Sequence, residues 1–294
     1  MTTETKQLNY RVIRLGDNTG SASSAVATQA AAEPESPETD EEILERIGER
    51  FDILTHMTKA VKRGDVRAMI VAGPPGVGKS HGVTEVLYKH DMIADIAQDE
   101  KLKKYEIVKG AMSALGLYTK LYEFREANNV IVFDDCDSIL MDDVTLNLLK
   151  AALDSGKRRV LSWHTASRVL DEAGVPNSFE FRGGVIFITN IKFAHVRSKK
   201  LKDHLAALES RCHYLDLTID TMREKMLRIR QVINMGMLDH LQLKDEEVAT
   251  ILQFIDDNKH RLREMSLRMV LKIAEVYKSM PDRWQRVASM SCMI

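Results

Sequence analysis

Gly73-Pro74-Pro75-Gly76-Val77-Gly78-Lys79-Ser80 is the stretch that decides the fold: it follows a five-residue apolar run, Ala68-Met69-Ile70-Val71-Ala72, and opens a helical pattern that continues through Leu87. The octet fits G-x-x-x-x-G-K-[ST] in the strand-then-helix setting that this motif needs. Its glycines let the backbone turn tightly, so that N–H groups point inward at phosphate oxygens while the following helix adds the positive end of its dipole. In that arrangement Lys79 reaches the β- and γ-phosphates of a nucleotide and the Ser80 hydroxyl holds Mg²⁺. His81 comes next and either packs on the helix or approaches the nucleotide; it is grouped with Gly73, Pro74, Pro75, Gly76, Val77, Gly78, Lys79 and Ser80 as a candidate cofactor-binding residue.

A second stretch supplies carboxylates. Val130-Ile131-Val132-Phe133-Asp134-Asp135 is four apolar residues ending in two acids, a pattern that puts charge at the carboxyl edge of a parallel sheet, where α/β proteins bind ligands. Asp134 is the candidate Mg²⁺ residue and Asp135 the group that polarises an attacking water. Asp137 is a spare carboxylate whose simplest reading is a solvated helix N-cap.

Outward from these motifs the chain alternates. A helix is expected from Glu41 behind Asp40 as N-cap, on the spacing of Ile43, Leu44, Ile47, Phe51 and Leu54, and Gly64 ends it. Strands are expected at Tyr105 to Val108, Val185 to Ile188 and Tyr214 to Leu217, with helices around Tyr118 to Ala127 and at Val144 to Leu153. Val160 to Ser162 and Phe179 to Phe181 read as a hairpin. Strands separated by helices predict an α/β fold with a central parallel sheet covered on both faces. After Asp220 the apolar residues, Val248, Ile251, Leu252 and Ile255 among them, recur at helical spacing. The expected organisation is therefore a tail over 1–40, an α/β nucleotide-binding domain over 41–219 and a small helical lid over 220–294. In the tail, the Ser-, Ala-, Thr-, Glu- and Pro-rich run from Gly16 to Asp40 reads as a linker, and Leu8, Tyr10, Val12 and Ile13 as a frayed terminus, a short strand or a docking peptide.

Composition removes some classes of function. The 294 residues carry 42 lysines and arginines against 43 aspartates and glutamates, so no global attraction to nucleic acid or anionic lipid follows, and any such patch is local. Cys136, Cys212 and Cys292 are far apart and predict free thiols in a reducing, cytoplasmic setting. No run approaches the roughly 20 apolar residues that cross a bilayer, so no membrane association is expected.

Taken with residues further on, the two motifs make the chain resemble the AAA+ ATPases over roughly Glu41 to Tyr277. Ile186-Phe187-Ile188-Thr189-Asn190 looks like the family's sensor 1 strand, which implies that Asn190 orients the lytic water. Leu208-Glu209-Ser210-Arg211-Cys212 resembles the segment bearing the arginine finger in clamp-loader-like members, which implies that Arg211 acts on ATP held by a neighbouring subunit. Met265-Ser266-Leu267-Arg268 resembles sensor 2, which makes Arg268 a γ-phosphate contact. Many members have glutamate where this chain has Asp135, one methylene shorter. The resemblance implies ATP and Mg²⁺ as cofactors, ATP hydrolysis at subunit interfaces and a homo-oligomeric ring, with a hexamer as the expected form. The compact length is similar to AAA+ proteins encoded by phages and other mobile elements.

What the ring acts on is left open between classes. Lys109-Gly110-Ala111-Met112-Ser113 stands where pore loops occur in the family, with Met112 expected as an exposed apolar tip. The hairpin is similar to the pre-sensor-1 hairpin of clades that include both DNA motors and protein unfoldases. Lys157, Arg158, Arg159 and Arg168, with Arg197, Lys199, Lys200 and Lys202, tilt the reading toward DNA over protein. The alternatives are a protein remodeller and a nucleotide-gated assembly factor with slow hydrolysis.

Overall fold

The computed structural model describes residues 38–98 and 103–294; the Leu8 to Ile13 segment and most of the expected linker lie outside them. Helix α1 spans Asp40–Arg63. Its cap is Thr39, not Asp40: the Thr39 hydroxyl accepts from the Glu42 N–H while the Glu42 carboxylate accepts from the Thr39 N–H. A threonine with glutamate three residues on closes this reciprocal box, worth about 1 kcal/mol, and leaves Asp40 to favour the helix dipole from the first turn. Gly64 ends α1 in the left-handed region at φ 80°, a conformation that costs glycine nothing.

Strands follow at β1 (Ala68–Ala72), β2 (Tyr105–Lys109), β3 (Val130–Asp134), β4 (Val160–Ser162), β5 (Ser178–Glu180), β6 (Gly184–Thr189) and β7 (His213–Asp216). Five of them form one parallel sheet in the order β2-β3-β6-β1-β7. Every residue of β1, β3 and β6 is buried, as expected for central strands covered on both faces. One face packs Leu54, Val61, Val83 and Leu87 against Met69, Val71 and Val132. The other packs Ile70, Ile131, Phe133 and Phe187 against Leu117, Leu121, Leu146 and Leu149. This is the α/β architecture expected from the alternation of apolar runs and helical patterns.

The intervening helices are α2 (Lys79–Ala97), α3 (Ala114–Glu123), α4 (Asp143–Ala152), α5 (Arg168–Glu172) and α6 (Lys199–Glu209). Helix α2 runs ten residues beyond Leu87, and α3 lies earlier than the Tyr118 to Ala127 expectation because the Ser113 side chain caps it by accepting from the Gly116 N–H. Strands β4 and β5 pair antiparallel as anticipated, although α5 interrupts their connection. Beyond the sheet, α7 (Met222–Asn234), α8 (Asp245–Asp257), α9 (Leu267–Ser279) and α10 (Trp284–Cys292) enclose a core of their own, with Trp284 edge-on to Phe254 and Tyr277. All three cysteines are free, and among the described residues no helix is long and apolar enough to cross a membrane.

Candidate functional site at the carboxyl edge

Strand order builds the site. Because β6 lies between β3 and β1, the ends of these three strands bring the phosphate loop, the aspartate pair and Asn190 together. Lys79, the first residue of α2, is buried, and its Nζ donates to the carbonyls of Gly73 (2.8 Å) and Pro74 (2.9 Å) and to Asn190 Oδ1 (2.8 Å). Asn190 Nδ2 in turn donates to Asp135 Oδ1 at 2.8 Å. The Ser80 hydroxyl donates to Asp134 Oδ1 at 2.9 Å, and Lys109 Nζ lies 3.1 Å from Asp134 Oδ2. Burial pulls Lys79 down to about 8, against the opposing pull of Asp135, Asp134 and Asp137, while the charge of Arg268 adds to the depression.

The loop backbone adopts conformations that glycine favours. Gly76 and Gly78 have φ of 72° and 105°, and a Cβ on Gly76 would meet Ser266 Cβ at 2.6 Å. The Gly76 carbonyl also accepts from the Leu267 N–H at 2.9 Å, so the loop is joined by backbone to the start of α9. Asp135 sits at φ 54°, unusual for a residue with a side chain. Its N–H still donates to the Ile188 carbonyl at 3.0 Å, extending the sheet ladder one residue past β3.

Together these groups border a cavity of about 640 Å³ that includes Gly76, Gly78, Lys79, Ser80 and His81 of the loop, Asp134, Asp135 and Asn190 of the strand ends, and Arg268 of α9. His81 is exposed at this surface, with no packed position on α2. Arg211 is elsewhere. It precedes β7 and shares a smaller cleft with Arg67, which precedes β1, and Asp154, so it lies at the amino edge of the sheet. Its Nη1 donates to the Ala207 carbonyl at 2.6 Å.

Three expectations change in the structure. Asp137 is not a solvated cap: it is half-buried, accepts from the Thr189 hydroxyl at 2.9 Å and is held above the usual carboxylate range by burial, while Cys136 occupies the cap position of its turn. Met112 is half-buried and packs against the main core, not an exposed tip. The basic hairpin is largely neutralised. Arg159 is buried and donates to the Ala152 and Gly183 carbonyls, Arg158 pairs with Glu180, and Arg168 pairs with Glu172. Lys200 pairs with Asp143, leaving Lys157, Arg197, Lys199 and Lys202 exposed, with no carboxylate at ion-pair distance among the described residues.

Phe51 and Arg228 also border the cavity, and neither stands out in the sequence as a site residue. Phe51 was visible only as one of a helical stripe, and Arg228 was not singled out. The available signal was Met226-Leu227-Arg228-Ile229, a lone cation within a buried apolar run.

The fold and site define an α/β protein with a phosphate-loop motif beside paired aspartates. No family model matches the chain. It is 37% identical over 255 residues to an uncharacterised 36.7 kDa protein from the nrdC-mobD intergenic region of Enterobacteria phage T4, an alignment covering 86% of this chain and 76% of that protein. The chain belongs to the family of that phage protein. Among solved structures it is similar to domain III of the Thermotoga maritima replication initiation protein DnaA, with 12% identity, TM-score 0.45 and coverage of 82% of this chain and 92% of that one. It is also similar to a chain of Drosophila ORC bound to DNA, with 14% identity, TM-score 0.42 and coverage of 93% and 67%.

Proposed function

We propose that this protein is an AAA+ ATPase that binds magnesium ATP at the carboxyl edge of its sheet and hydrolyses it. The observation that carries this reading is the hydrogen-bonded line Lys79–Asn190–Asp135 beside Ser80–Asp134. A buried cation whose hydrogen bonds go only to carbonyl and amide oxygens is suited to phosphate, because those acceptors are neutral and the nearby carboxylates are not bonded to it. The donor set fits magnesium, a hard ion commonly held by one or two protein oxygens together with phosphates and water. Among the described residues no larger cluster of metal-ligating side chains competes for it. Ser80 and Asp134 would hold the ion, which neutralises phosphate charge when bound. Asp135 accepts a proton from water, Asn190 orients that water, and Arg268 meets the terminal phosphate. C-terminal helices α7 to α10 act as the lid.

Arg211, on the opposite edge, serves the ATP of a neighbouring subunit, and a ring of six places each Arg211 on such an interface. The partner polymer is nucleic acid, contacted by exposed Lys157, Arg197, Lys199 and Lys202. A second reading, a nucleotide-gated assembly factor with slow turnover, is favoured by the short Asp135 side chain already engaged by Asn190. ATP turnover measured in parallel with single-stranded DNA, duplex DNA and unfolded protein decides among these. Stimulation by DNA that falls steeply with salt supports the nucleic-acid reading; stimulation by unfolded protein alone replaces it with a remodeller, and turnover near background with an ATP-dependent change in assembly size selects the slow factor.

A further inference from the structure

The cavity has a chemically mixed lining. Its charged lining includes Lys79, Asp134, Asp135 and Arg268, with Asp52 and Glu85, and its apolar lining includes Phe51, Val232, Met237, Leu267 and Leu271. Beside Phe51 and Leu267 stands a further cation, Arg228 of α7, only 8% exposed. Its guanidinium lies 3.5 Å over the Phe51 ring, and Nη1 donates to Gln231 Oε1 at 2.7 Å. Nε is buried without a partner, and among the described residues Nη2 has no hydrogen bond either. Nη2 faces the phosphate loop, since a Cβ on Gly78 would sit 3.7 Å from it.

We propose that Arg228 is the residue that recognises the base of the bound nucleotide, donating from its Nε/Nη2 edge to a ring nitrogen of a purine. The inference rests on the nucleotide reading above and adds the group that reads the base. Arginine has donors and no acceptor, so whatever completes Arg228 must bring acceptor atoms. A buried donor left unmade is costly, and a buried charge more so. The surroundings say which acceptor. Arg268 is close enough for its charge to act on Lys79, whereas no carboxylate or other charged group perturbs Arg228, which burial alone pulls down to about 10. On the nucleotide reading the phosphates lie at Lys79, Ser80 and Arg268, which leaves Arg228 for the rest of the molecule. The Phe51 ring and the apolar side chains of Val232, Leu267 and Leu271 in the lining suit a flat aromatic ring with a few polar atoms at its edge, as small-molecule sites generally do.

The experiment compares binding of ATP, its 1-, 3- and 7-deaza analogues and inorganic tripolyphosphate, each with magnesium, to the full chain and to Arg228→Met. Loss of one charge-assisted hydrogen bond predicts about a tenfold weaker affinity of the variant for ATP, with tripolyphosphate unchanged. One deaza analogue should bind the wild type about tenfold more weakly than ATP, and that gap should vanish in the variant. Equal losses for ATP and tripolyphosphate would overturn the proposal by giving Arg228 to the phosphates. An unchanged ATP affinity, or no analogue distinguished by the wild type, overturns it as well. Thermal unfolding without ligand shows whether Arg228→Met folds; if it does not, the deaza series on the wild type decides alone. Failure of the wild type to bind either ATP or tripolyphosphate would instead reject the nucleotide reading itself.

Discussion

The two edges of the parallel sheet both carry exposed or reactive cations, yet they are built differently. At the carboxyl edge, Lys79 is buried and fixed by three hydrogen bonds, two of them from its own loop. At the amino edge, Arg211 is exposed and, among the described residues, its side chain is bonded only to its own helix end. The difference teaches that burial and hydrogen bonds from one chain hold a cation rigid, whereas an exposed cation such as Arg211 keeps its donors open to an outside partner, as the proposed function requires of it.

The sharpest way to break the comparison is to remove each cation in turn. Lys79→Ala should weaken ATP binding by about 100-fold, the size expected when a buried charge-assisted contact worth roughly 3 kcal/mol is lost. Calorimetric titration reads this directly, and an unchanged affinity would take the phosphates away from this loop. Next in size is a pH effect. Burial holds Lys79 at about 8 in the free protein, and phosphate prefers the protonated amine. Affinity should be steady below pH 8 and fall by up to about tenfold per pH unit above it, until the raised value of the bound state is reached. In the absence of ligand the sign for stability is the reverse. The unfolded chain binds this proton more tightly, so its contribution to stability rises between pH 8 and the ordinary lysine value of 10.5. Titrations at pH 7, 8 and 9 test the first part, and denaturant midpoints over the same range the second. Smallest is Arg211→Ala, which should leave ATP affinity within about twofold, because loss of an exposed group is worth a few tenths of a kcal/mol. Its turnover, however, should be low alone and recover when Arg211→Ala subunits are mixed with Lys79→Ala subunits. Normal turnover by an isolated Arg211→Ala subunit would end the idea that the two edges serve different molecules.

Much of the fold was legible because its signals are local. The apolar runs at Ala68–Ala72 and Val130–Phe133 could be little else but buried strands, and the octet after Ala72 fixed the edge at which a ligand belongs. Helix starts were less legible, since the choice between neighbouring capping residues depends on reciprocal bonds such as Thr39 with Glu42, which a single position does not display. The state of charges was hardest to read. Arg158 and Arg168 looked free in sequence, but glutamates 22 and 4 residues away neutralise them, and Arg159 is buried by strand pairing that periodicity does not reveal. Asp137 and Met112 were misjudged for the same reason: the partners that bury them, Thr189 and the main core, come from distant parts of the chain. Arg228 belongs with these, because its meaning depends on Phe51, which is remote in sequence and stacked beneath it.

The bond from the Leu267 N–H to the Gly76 carbonyl has a mechanical consequence. Leu267 is the first residue of a 13-residue helix, a rod about 20 Å long. A ligand that displaces the turn at Gly76 therefore loads the foot of this rod through backbone alone, with no side chain in between. The far end of that rod carries Tyr277, seated against Trp284, so one continuous helix couples the loop to the C-terminal core.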